Sequence, residues 1–368
     1  EVMTRSIRIC LGVLMLCACL AASGCVGHID IEDVGLILAL GIDAGDEGGI
    51  KLWFQVALPG AGIESLSRQE TLLTMAEGDT LYAALMKAET RSAMQLTLGH
   101  VRVIVIGEKL ARRGLQEILD PLARDATLRF KSWVLVTSDP VEDIIGLSIG
   151  GQPAGMYISD LMQREAQRAG APDSRFIDLT IDMEEKGVEA LLARIALIKQ
   201  DASVGGGGPS SQPGSGTGAA SGATADKVTR QPEFYELDGA AVFRDDKMVG
   251  WLNTRQSAAA VLVKSGIRNY EFVHWLAPGG RESVAVNLMT AHSGTSIPGE
   301  CLADPALVPG CTIDMDVTGL WGMRELISKE QYTTDESTDR LSRSISTRLQ
   351  RDIHDMLRVV QTELKSDV

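Results

Sequence analysis

The chain has 368 residues, a formal charge of −14 and 45 % hydrophobic residues. That length suggests about two domains, and the apolar content excludes a globally disordered chain. The acidic balance argues against nucleic acid as a partner and against a polybasic grip on anionic lipid. Aromatic residues are only 4 %, so the cores must be built from Leu, Ile, Val, Ala and Met.

The chain opens with Arg5 and Arg8 at the head of an apolar run from Ile7 to Leu20. The run closes on Leu20-Ala21-Ala22-Ser23-Gly24-Cys25. A positive start, a short apolar core and small residues before a cut make a secretory signal. The run is shorter than the roughly 18 residues of a spanning helix. Cys10, Cys17 and Cys19 inside it act as small hydrophobes. The closing sequence resembles the lipobox of bacterial lipoproteins. That resemblance implies removal of residues 1–24 and diacylglyceryl transfer to the Cys25 sulfur. Two long acyl chains then anchor the protein stably.

With Cys25 acylated, Cys301 and Cys311 remain as an even pair in a compartment that permits disulfides. The Pro- and Gly-containing stretch between them is able to close as a loop, so a Cys301–Cys311 bridge is expected. No second Cys or His pair stands at zinc-ligand spacing. No metal or cofactor is expected.

Leu36 to Ile42 reads as a buried strand, Asp43 to Gly49 as a turn and Lys51 to Leu58 as its hairpin partner. Gln69 to Met75 adds a third strand. Asp79 is expected to cap a helix whose Leu81, Ala84, Leu85 and Ala88 share one face. His100 to Gly107 is a strand that runs into a short helix ending at Gly114. Leu115 to Arg124 is a second helix. Lys131 to Thr137 is a strand, Val141 to Leu147 a short helix, and Tyr157 to Ala169 a longer one. Val188 to Ile198 is apolar, and periodicity leaves both strand and helix open.

Composition collapses from Ala202 to Asp226 into Gly, Ser, Ala, Pro and Thr. Such a stretch has too little apolar surface to offset its ordering entropy. Residues 201–232 are expected to be a flexible linker between a 25–200 part and a 233–368 part. The second part opens with a hairpin, Phe234 to Leu252, turning at Arg244-Asp245-Asp246-Lys247. Thr254 to Val263 reads as a helix, and Val284 to Ala291 and Cys311 to Leu320 as strands. A long amphipathic helix starts near Ser337, with Leu341, Ile345, Leu349, Ile353, Leu357, Val360 and Leu364 on one core-facing stripe.

The fold class expected is α+β, multi-domain, with mixed and antiparallel sheets and packed helices. Taken together, the lipobox, the strand ending Gly41-Ile42-Asp43 and the block His100 to Arg129 resemble the Ger(x)C family of spore germination lipoproteins. Within that block the likeness lies in Gly107-Glu108, Leu110-Ala111, Gly114-Leu115, Leu119-Asp120 and Arg124. Leu237 to Phe243 with Asp246-Lys247 and Val249-Gly250 resembles the start of the family's C-terminal domain, and Gln361 to Asp367 its closing helix. Val26-Gly27 stand where the family usually carries Trp-Asp. The resemblance implies the C subunit of a nutrient germinant receptor, anchored on the extracytoplasmic face of the inner spore membrane. It implies assembly with integral-membrane A-type and B-type subunits, and no cofactor. It assigns no residue a chemical role: Gly41 and Gly107 suit tight turns, His100 a structural place, Asp246-Lys247 a hairpin tip.

Two other classes compete. A solute-binding lipoprotein would show two α/β lobes around a cleft. A hydrolase would use Ser148 of Gly146-Leu147-Ser148-Ile149-Gly150, which matches the nucleophile-elbow pattern G-x-S-x-G. That pattern here follows a helix instead of a strand, and nothing selects His274, His292 or His354 as the base. No catalytic residue is therefore expected.

Overall fold

The computed structural model describes residues 33–58, 71–185, 187–199, 233–276, 280–296 and 312–366, besides Met3, Leu11, Gly12 and Met15. Cys25, the 201–232 segment, Cys301 and Cys311 lie outside the described residues.

β1 (Val34–Ala44) and β2 (Ile50–Ala57) form the expected hairpin, with Asp43 opposite Lys51. Its turn needs positive φ at Glu47 and Gly48, which suits glycine at the second position. β3 (Thr71–Gly78) adds to β2 antiparallel. α1 (Leu81–Glu89) follows, and its cap is Thr80, not Asp79. The Thr80 hydroxyl accepts from the Ala83 amide at 3.1 Å. Only that position stands three residues before this amide, the reach an N-cap side chain has.

β4 (Gln95–Thr97) and β5 (Val103–Gly107) lie in succession along one side of β1, both parallel to it. His100 falls in a 3₁₀ turn between them, so the strand begins three residues later than its apolar pattern suggests. α2 (Glu108–Arg113) and α3 (Gln116–Arg124) lead to β6 (Trp133–Thr137), parallel to β5. α4 (Val141–Gly146), α5 (Ala154–Gln167) and α6 (Phe176–Glu184) lead to β7 (Leu191–Lys199), parallel to β6. The stretch left open by periodicity is thus a strand. Strands inside a parallel sheet are buried on both faces, which erases alternation. Ile104, Ile106, Val134 and Val136 enter one core, with α1, α2, α3 and α6. Val103, Val105, Trp133 and Leu135 enter the other, with α4 and α5.

β8 (Glu233–Arg244) pairs antiparallel with β7, and β9 (Lys247–Leu252) with β8. The sheet has nine strands in the order β3-β2-β1-β5-β6-β7-β8-β9, with β4 beside β1. The expected boundary therefore falls inside one sheet: Lys199, before the glycine-rich segment, pairs with Glu233 after it. The segment joins neighbouring antiparallel strands. The sheet also curls. α2 packs on both β1 and β9, which stand five strand spacings apart, about 24 Å if flat. A six-residue helix is only about 9 Å long.

α7 (Thr254–Ser265) starts at an Asn253–Gln256 capping box. β10 (Ile267–Trp275), β11 (Ser283–Ser296) and β12 (Asp314–Ile327) make a separate antiparallel sheet. α8 (Asp335–Leu357) closes the chain and runs into a π-helical turn, Arg358–Leu364. Its stripe faces inward as expected, but serves two cores. Leu341 and Ile345 meet Val284 and Val286 of β11. Ile353, Met356 and Val360 meet α7 and the β8–β9 hairpin through Ala240, Val242 and Leu252. The fold is α+β with mixed and antiparallel sheets and packed helices.

Candidate interaction site

Several of the residues that carried the family likeness converge. Glu108, at the start of α2, accepts from Arg112 Nε at 2.8 Å and from Trp251 Nε1 on β9 at 3.3 Å. Arg113 Nη1 donates to the Gly48 and Gly49 carbonyls of the first hairpin, at 2.7 and 3.0 Å. The Leu115 amide donates to the Asp246 carbonyl at 2.9 Å, and the Gln116 amide points at the Asp246 carboxylate at 3.4 Å. Gly114 has φ 135°, and a Cβ there would stand 2.5 Å from Asp246 Oδ2. A Cβ on Gly107 would stand 2.2 Å from the Asp43 carboxyl carbon. These glycines admit carboxylates from distant strands. The block is a clasp between α2–α3 and the β8–β9 tip, so Asp246 is more than a solvated turn residue. Sequence spacing placed Gly114 and Asp246 in separate parts and gave no sign that they touch.

Ser148 does not sit on a strand-to-helix elbow. α4 ends at Gly146, and Ser148 is exposed in the loop beyond it. Among the described residues no hydrogen bond joins it to a histidine. His274 is buried, with Nε2 2.8 Å from Ser344 Oγ on α8. Burial holds its pKa below the usual histidine range, and the Arg348 and Arg351 charges act in the same direction. His100 and His354 are exposed. Tyr235 is buried with its hydroxyl 2.7 Å from the Ile144 carbonyl and 2.8 Å from that of Leu147. Burial pushes this phenol up. It ties the start of β8 to α4 and has no reacting neighbour.

Two of the surface clefts among the described residues are polar. One, of about 440 Å³, is lined by Asp46, Glu47, Glu77, Asp79 and Lys87 among others. Its polar groups already bind one another: Lys51 pairs with Asp46 at 3.1 Å, Glu77 accepts from the Asp46 amide and Lys87 donates to the Glu77 carbonyl. The other, of about 350 Å³, lies between Asn253–Gln256 and Asp352 and Asp355. Among the described residues no group of three or more His, Cys, Asp or Glu is placed to hold a metal. The strands build one large and one small sheet, not two parallel lobes around a cleft. No described helix is long and apolar enough to cross a membrane.

The outer face of the small sheet exposes Val273, Trp275, Met289, Leu320 and Ile327. Exposed apolar side chains on a sheet face, here alongside the Glu271–Arg324 ion pair, suit an interaction surface better than a catalytic one.

The chain matches the family described as spore germination protein N-terminal domain over residues 27–197. It matches the family described as spore germination B3/GerAC like, C-terminal, over residues 238–368. The chain belongs to the GerAC-like spore germination family. Spore germination protein KC of Bacillus subtilis (strain 168) is 25 % identical over 303 residues, covering 79 % of this chain and 70 % of that protein. Spore germination protein GerQC of Bacillus cereus is 25 % identical over 185 residues. The chain spans half the length of GerQC. The crystal structure of the GerBC protein aligns with a TM-score of 0.45 at 17 % identity, covering 89 % of this chain and 83 % of that one. Family membership also classes the chain as a germination protein and not an enzyme.

Proposed function

We propose that this GerAC-like protein is the lipid-anchored, extracytoplasmic C-type subunit of a nutrient germinant receptor. Cys25 carries the lipid. A-type and B-type integral-membrane subunits are its partners, and the inner spore membrane is its location. The chain acts by assembly, without cofactor or catalysis. The observation that carries the reading is the match to both germination domains, 27–197 and 238–368, starting just after a lipobox-like cysteine. The clasp among Glu108, Gly114 and Asp246 supports it, because motif residues that are all structural suit a scaffold.

The test is affinity capture from spore membranes, comparing wild type with Cys25→Ala. Recovery of two polytopic membrane proteins with wild type is the expected result, with loss of membrane attachment in Cys25→Ala. Capture of the chain alone, or with an ATP-driven transporter, would overturn the assignment.

A further inference from the structure

The parallel strands β5 and β6 start side by side, with Val103 and Trp133 in register beside Ala39 in the middle of β1. Two loops cover their starting end. One holds Arg102, whose amide donates to the Leu38 carbonyl at 3.0 Å and whose carbonyl accepts from Trp133. The other is the turn Arg129-Phe130-Lys131, tied to the first by Ser132 Oγ donating to the Val101 carbonyl at 2.6 Å. Arg102, Arg129 and Lys131 are exposed and make no ion pair among the described residues. Phe130, between two of these cations, is 44 % exposed and leans on Phe176 at 5.8 Å between ring centroids.

Two carboxylates near the cluster are engaged, while Asp33 and Asp178 are exposed beside it. Asp125 Oδ1 accepts from the Thr127 amide and hydroxyl and from the Leu128 amide. Asp173 pairs with Arg175 at 3.1 Å. The opposite end of the sheet carries the other sign. There the β1–β2 turn and the end of β3 present Asp46, Glu47, Glu77 and Asp79, and the loop and helix after β6 present Asp139 and Glu142. A chain with a net charge of −14 thus keeps a basic cluster, without an ion pair among the described residues, on the side of the sheet toward which β1 begins.

That is also the tethered end, given the anchoring proposed above, on which this inference rests. Asp33 follows Cys25 by eight positions. Fully extended, they reach about 29 Å.

We propose that Arg102, Arg129 and Lys131, with Phe130 as an apolar wedge, dock this end of the domain onto an anionic lipid leaflet. The lipid anchor supplies attachment. The cluster supplies orientation, directing the acidic end and both clefts away from the bilayer. Each Lys or Arg close to an anionic leaflet contributes roughly fivefold to partitioning, and salt weakens the effect.

The test uses the acylated full-length protein in vesicles of equal parts phosphatidylglycerol and phosphatidylcholine, against pure phosphatidylcholine. Amide hydrogen exchange is read at 99–102 and 127–132. Slower exchange is expected in the anionic vesicles alone. It should vanish in Arg102→Glu/Arg129→Glu/Lys131→Glu and at high salt. An unchanged thermal midpoint for that variant shows that it folds, as three exposed side chains predict. Equal exchange in the two vesicle types overturns the docking. So does protection seen only in native spore membranes, which would assign the turn to a protein partner. Failure of the anchoring is a separate result: Cys25→Ala and wild type would then partition alike.

Discussion

The two sheets of this protein solve burial differently. The nine-stranded sheet is covered on both faces, and β5 and β6 are buried along their whole length. The three-stranded sheet is covered on one face by α7 and α8, while Trp275 and Leu320 on its outer side are 58 % and 69 % exposed. The first therefore resists change anywhere along its central strands. The second rests on two helices at one face and leaves apolar side chains exposed on the other. The lesson is that the rigid body and the available surface are carried by different sheets.

The largest expected effect is in the first sheet. Trp133→Ala removes a fully buried ring and should cost about 3–5 kcal/mol, read as a lower urea midpoint for the whole chain. Ile345→Ala removes a buried α8 side chain under the small sheet and should cost about 2–3 kcal/mol. Hydrogen exchange should then rise in β10–β12 while β5 and β6 stay protected. Equal loosening of both sheets would break the contrast.

His274 sharpens the same contrast through pH. Its folded pKa is depressed, so the unfolded chain takes up a proton first as pH falls below about 6.5. The stability it contributes is complete above that pH and is lost as pH falls through the folded value. Denaturant midpoints measured from pH 7 to 5 should decline, and His274→Asn should flatten part of the decline. An unchanged slope in the variant would remove His274 from the account.

The glycine-rich segment offers a gentler test. It closes a β7–β8 pair, so cutting it to about eight residues, roughly two halvings, should stabilise the fold by about 1 kcal/mol. A loss of stability would mean that the two strands need its length. The smallest effect is expected at the exposed face: Trp275→Ser should stay within about 0.5 kcal/mol, and a larger loss would mean that this face is covered in solution.

Much of the local structure was legible in the residues. Alternation and turn chemistry located the hairpins at Asp43–Gly49 and Arg244–Lys247, and the stripe from Leu341 to Leu364 located the last helix. α6 and β10 were missed. α6 buries only Phe176 and Leu179, and β10 buries Ile267 and His274, so neither shows a strong period. The clasp was illegible for another reason: Gly114 and Asp246 are more than a hundred positions apart, and no local pattern pairs them.

The sequence alone thus carried the lipobox-like pattern at Cys25, most elements and the family likeness, because each is written in neighbouring residues. Tertiary structure alone decided that β7 and β8 are partners across the low-complexity segment, that the sheet curls around α2, and that α8 serves two cores. Strand pairing and core sharing join residues far apart in the chain, and only the folded chain brings those residues together.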